Sequence, residues 1–180
     1  MKRIFVITLA AILLLSSFAF AGAVSPASAK DSTIMEIQSM IGVPRPYTGA
    51  TNAIRGVPGG GLPWVVNFAE GELKSNGKIE IKVRGLVIDP NDPAAIAAGR
   101  GGTNPSPTFK ALVSCLSKDA AGNPTTVNVS TGLFAADAAG NSNIEDTVSL
   151  PQPCIAPIIF LTGPSSATNS TGAWFAATGF

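Results

Sequence analysis

The chain has 180 residues, of which 13% are charged against about 25% in an average soluble domain, and its 12 basic side chains nearly balance 11 acidic ones. It contains no histidine, which excludes imidazole general bases, Ser-His and Cys-His nucleophile pairs and any metal site that needs imidazole. The near-neutral balance argues against a nucleic-acid partner, because phosphate binding needs clustered Lys and Arg.

In chain order, Lys2 and Arg3 precede an apolar run from Ile4 to Leu15, followed by Ala19-Phe20-Ala21, Ala21-Gly22-Ala23 and Ala27-Ser28-Ala29. Small residues at that spacing are what signal peptidase reads, so residues 1–29 are expected to be a secretory signal peptide. Cleavage after Ala21 or Ala23 and an uncleaved anchor are the alternatives. Removing Lys2 and Arg3 turns the formal charge from +1 to about −1. No later apolar run is long enough to span a bilayer, so the expected location is secreted or in the cell envelope, with no membrane span after signal removal.

Residues 30–63 form a Gly/Pro-rich amino-terminal segment. Thr33 with Glu36 resembles a capping box and Ile34, Ile37 and Ile41 recur at roughly helical spacing, so its start is either a short helix or a mobile or strand-like end. From Gly42 to Pro63 the density of glycine and proline predicts no regular element.

Residues 64–180 are expected to be the β-sandwich domain. Trp64 to Leu73 and Lys78 to Ile88 flank Asn76-Gly77, which predicts a hairpin closed by a type I′ turn. In the second strand Ile79, Ile81 and Val83 alternate with charged residues, as an antiparallel sheet with one wet face requires. Asp89 to Pro93 ends it, and Ala94 to Ala98 offers one helical turn. Phe109 to Leu116 is apolar on both faces and so central; further strands are read at Thr125–Thr131, Asn143–Leu150, Ala156–Thr162 and Ala173–Thr178. About seven short strands with frequent turns predict an all-β fold, with an immunoglobulin-like antiparallel sandwich leading and a small barrel as the alternative. Cys115 and Cys154 are the two cysteines of an exported chain, which predicts one disulfide; two buried free thiols are the other reading.

Arg55-Gly56-Val57-Pro58-Gly59-Gly60-Gly61-Leu62-Pro63-Trp64 is the most unusual stretch. It lacks the Gly-Lys-Ser/Thr ending of a phosphate loop. It reads either as a close backbone crossing over a buried Trp64 or as a ligand loop, with Arg55, Gly59, Gly60, Gly61 and Trp64 as the candidates. Asp89, Asn91 and Asp92, and Asp137 with Asn141 and Asn143, carry oxygens suited to calcium but lack the EF-hand spacing. They read as turn formers, and no metal, cofactor or catalytic residue is assigned. Glu70, Glu72, Glu145 and Asp146 keep open the alternative of a hydrolase using paired carboxylates. Asn128-Val129-Ser130 and Asn169-Ser170-Thr171 match the N-glycosylation pattern, Asn169 being the better candidate because it lies in a loop.

Pro46-Tyr47-Thr48-Gly49-Ala50 through Gly59-Gly60-Gly61-Leu62-Pro63-Trp64, with Phe109 to Leu116, Ser149 to Cys154 and Gly172 to Ala176, resembles a family of uncharacterised small secreted bacterial proteins. The resemblance implies export and carries no activity or site. The expected function is therefore a non-enzymatic binding or envelope-associated module whose partner is an extracellular protein or cell-surface component; a structural envelope protein is a further alternative.

Overall fold

The computed structural model describes residues 31–178, so the signal peptide assigned to 1–29 lies outside the described residues. In chain order the elements are β1 (Thr33–Ile37), β2 (Ile41–Gly42), a 3-10 turn (Arg45–Tyr47), β3 (Trp64–Val65), β4 (Phe68–Lys74), β5 (Lys78–Arg84), β6 (Val87–Ile88), α1 (Pro93–Ala97), β7 (Thr108–Lys118), β8 (Pro124–Ser130), β9 (Phe134–Ala135), β10 (Ser142–Thr147), β11 (Ile155–Thr162) and β12 (Trp174–Ala177). The fold is nearly all β, and every pairing between strands is antiparallel. One sheet has the order β1-β4-β5-β10, the other β2-β12-β11-β7-β8 with β9 beside β7, and β3-β6 forms a small third sheet.

The core follows from alternation. Ile79, Ile81 and Val83 of β5 are buried beside Leu73, Phe109, Val113, Ile159 and Leu161 in one apolar cluster, while Lys82 between them is exposed. Burying each such side chain contributes roughly 1.5–3 kcal/mol. The continuous burial of β7 from Phe109 to Cys115 places it as a central strand covered on both faces.

Twelve strands stand where about seven were expected; one of the five extra is the short β9 beside β7, and the other four have two origins. The predicted hairpin arms are each broken: Gly85 takes a left-handed φ of 68°, Asn67 packs into the space a Cβ there would fill, and Leu86 turns inward to bond Gly140. The outer parts become the separate β3-β6 pair. In addition the amino-terminal segment contributes strands. Glu36 of β1 pairs with Glu72 and Gly42 of β2 with Ala176, so residues 31–63 add an edge strand to each sheet. Of the isoleucines at helical spacing only Ile37 is buried, while Ile34 and Ile41 are exposed; the segment pairs with β4 and β12 as strands instead of forming a helix.

The hairpin turn also differs from the expected type I′. Gly77 has φ 88°, but Asn76 is not in the left-handed region; the turn is the three-residue kind in which glycine alone needs positive φ. Gly77 N–H bonds Lys74 O, and Asn76 Oδ1 accepts from Lys78 N–H.

Cys115 and Cys154 form the disulfide, with Cα atoms 4.9 Å apart. It joins β7 to the residue just before β11, its neighbour in the same sheet, unlike the inter-sheet disulfide of antibody domains.

Candidate functional site

Arg55 and Gly56 both take left-handed φ, 49° and 79°, and Ile54 and Val57 exchange backbone hydrogen bonds around them. This tight turn sends Arg55 onto the second sheet: one guanidinium nitrogen donates to Ser114 O at 2.8 Å and Ala156 O at 2.9 Å. The chain then runs along β12, with Trp174 N–H bonding Pro58 O and Gly60 N–H bonding Trp174 O. That line of approach leaves no room for side chains. A Cβ on Gly59 would overlap the Tyr47 carbonyl, and one on Gly60 would lie 2.9 Å from Trp64 Nε1. Gly61 faces open space. Trp64 is buried and stacks on Phe175 with ring centroids 4.0 Å apart, and Phe175 meets Phe109 edge-on.

The five loop candidates therefore separate. Gly59 and Gly61 line a groove of about 580 Å³, while Arg55, Gly60 and Trp64 form the support behind it. The opposite wall is Thr168, Asn169, Ser170, Thr171 and Ala173, with Gly49, Ala50, Ala53, Gly56 and Pro58 completing the near side. No charged or aromatic side chain lines it. In the sequence the far wall shows only as the loop that holds Asn169; β12 returning beside Pro58 sets the two loops face to face.

A larger depression of about 810 Å³ covers the outer face of the first sheet. There Glu36, Glu72, Glu80 and Glu145 stand in one cross-strand row. Like charges directly opposite repel, and neighbouring lysines offset this for three of the four: Lys74 to Glu72 at 3.0 Å, and Lys78 to Glu80 at 2.5 Å and to Glu145 at 3.5 Å. Most carboxylates on this face are thus engaged by lysines of the same sheet, whereas the groove carries no charged lining.

Of the carboxylates considered for hydrolysis, Glu72 and Asp146 are each tied up by hydrogen bonds. Lys74 and then Thr33 bond Glu72 and hold its carboxyl below the usual range. The amides of Gly132 and Thr147 do the same for Asp146, whereas a glycosidase acid needs its pKa raised. The Asp and Asn clusters serve the backbone. Asp89 accepts from Asn91 N–H, and Asp137 accepts from the Asn141 amide and side chain, which hold it low. Asp92 caps α1 through Ala94 and Ala95 N–H and receives two hydrogen bonds from Arg45. Asn128 donates its side-chain amide to Arg55 O, whereas Asn169 uses only its carbonyl oxygen, which accepts from Thr171.

No family model matches the chain, and no curated protein or solved structure is significantly similar to it.

Proposed function

We propose that this is an exported, non-enzymatic binding module whose groove between residues 49–61 and 168–173 takes an uncharged extended segment of an extracellular protein or cell-surface polymer. The observation that carries the reading is the groove's lining of Gly, Ala, Pro, Ser, Thr and Asn alone. Such walls offer peptide groups and hydroxyls as hydrogen-bonding partners, and give a charged ligand nothing to pair with. Export is supported by the basic, apolar and small-residue order of residues 1–29 and by the Cys115–Cys154 disulfide, a bond that persists in oxidising compartments.

The test is retention of the oxidised protein on immobilised neutral polysaccharides and on uncharged Gly/Ser/Thr-rich peptides. Retention of the wild type, lost in Gly61→Trp and Ala53→Trp at unchanged thermal midpoint, is the expected result. Absence of retention on every matrix, or equal retention by the groove-filled variants, overturns the reading.

A further inference from the structure

On β7, Lys110 lies directly opposite Thr162 of β11, and Thr162 lies opposite Trp174 of β12. The β11–β12 register shifts between Leu161 and Thr162, and beyond that irregularity the Trp174 ring meets Phe160, two residues from Thr162 on β11, with ring centroids 5.8 Å apart; an ammonium, a hydroxyl and an indole thus share one face across three adjacent strands. Gly163 N–H bonds Ala173 O just beyond Thr162 and Trp174, which makes that pair the closely spaced, non-hydrogen-bonded kind. All three residues are inside: Lys110 is 5% exposed and the other two 0%.

Their polar atoms are unspent. Thr162 Oγ1 and Trp174 Nε1 are buried without a hydrogen-bond partner. Among the described residues no carboxylate pairs with Lys110; its Nζ donates to Ser165 Oγ at 2.6 Å, and Ser165 Oγ donates to Ser170 O at 2.7 Å. An ammonium has three donors, so two remain after Ser165 is served. The same sheet holds a second unpartnered pair, Ser114 Oγ opposite Asn128 Oδ1, but there a hydroxyl donor faces an amide acceptor and each can answer the other. Lys110 and Trp174 can only donate.

We propose that Lys110, Thr162 and Trp174 form the floor of an oxyanion site, for a carboxylate or phosphate group, closed by the 163–172 loop through Ser165. A buried cation without a counter-charge is costly, and burial lowers the pKa of this lysine; a bound oxyanion supplies the missing charge and acceptors. Ser165 is exposed, so rotating its hydroxyl off Nζ frees a third ammonium donor at the loop. None of the three floor residues lines the groove, although the loop that closes the site also carries the groove's far wall from Thr168 to Thr171.

The probes are sodium phosphate and sodium acetate, titrated separately against sodium chloride at matched ionic strength and followed by the two indole N–H resonances of the full oxidised protein. The Trp174 signal, assigned by its loss in Trp174→Phe, is expected to shift saturably with phosphate, acetate or both, while that of Trp64 stays in place. Which salt saturates tells a phosphate source from a carboxylate source. Lys110→Met should abolish the shift, and Thr162→Val should weaken binding by about tenfold. A response to neither oxyanion, the same response to chloride, or a shift that survives in Lys110→Met overturns the proposal. Should Lys110→Met not fold, unchanged affinity in Thr162→Val overturns it.

Discussion

Arg55 reaches across the chain to Ser114, its guanidinium donating to that backbone carbonyl at 2.8 Å and, from the same nitrogen, to Ala156 O at 2.9 Å. The register of β11 against β7 shifts between Ile155 and Ile158, and Arg55 fills the gap that this leaves in the ladder. Hydrogen bonds from a charged group contribute about 1.5–3 kcal/mol, so Arg55→Ala should lower unfolding free energy by roughly 2 kcal/mol. Urea unfolding measures this; a loss under about 0.5 kcal/mol would show that water replaces the guanidinium.

Adjacent glycines should respond in opposite ways. Gly60→Ala forces a Cβ against Trp64 and Phe175, and overpacking of this kind costs typically about 1–3 kcal/mol. Gly61→Ala enters open space and should stay within about 0.5 kcal/mol of wild type. Thermal midpoints of the two variants decide the matter, and equal losses would contradict it.

The disulfide closes a sequence separation of 39 residues, for which the chain-entropy relation gives about 4 kcal/mol of stabilisation. The double variant Cys115→Ala, Cys154→Ala should lose about that much in denaturant unfolding. Since the bond ties β7 to the residue just before β11, a strand already paired with it in one sheet, the folded spectrum should survive where stability permits.

Acid should destabilise the fold. Asp119 and Asp137 are held below their usual range first by backbone amides of Asn123 and Asn141; for Asp92, burial works the other way but Arg45 and the α1 amides outweigh it. A depressed carboxyl pKa contributes stability that is complete above the unfolded value, near 4, and lost as pH falls through the folded one. Lys110 has the opposite consequence: burial lowers its pKa, so stability rises with pH from that depressed value toward about 10.5. Unfolding midpoints from pH 2 to pH 10 test both signs. Lys110→Met should remove the alkaline rise.

The glutamate row offers one surface test. Glu36→Lys would set a cation opposite Glu72 and should gain about 0.2–1 kcal/mol at low salt, the gain shrinking as salt is added. No gain at low ionic strength would mean the side chains avoid one another.

Much of the strand plan was legible because it rests on local chemistry. Alternation marked β5, the two-sided apolar run marked β7, and Asn76-Gly77 marked a hairpin. Turn type was not legible, since Asn76 tolerates either sign of φ and the flanking twist decides. The break at Gly85 was equally hidden, because it depends on Leu86 bonding Gly140 far along the chain. Of the loop candidates, the composition of residues 55–64 announced an unusual backbone. Whether each glycine served a wall or a support turned on what lay behind it: the Tyr47 carbonyl, the Trp64 ring or open solvent.

By itself, then, the sequence determined an all-β chain with few charges, a sheet with one wet face, and a single possible disulfide, since periodicity, turn residues and cysteine count act over short distances or by number alone. Only the tertiary structure decided that residues 31–63 edge both sheets, that the 49–61 and 168–173 loops face across a groove, and that Lys110, Thr162 and Trp174 share one buried face. Those relations join residues far apart in the chain, and strand order and register, which set them, depend on packing that no local pattern encodes.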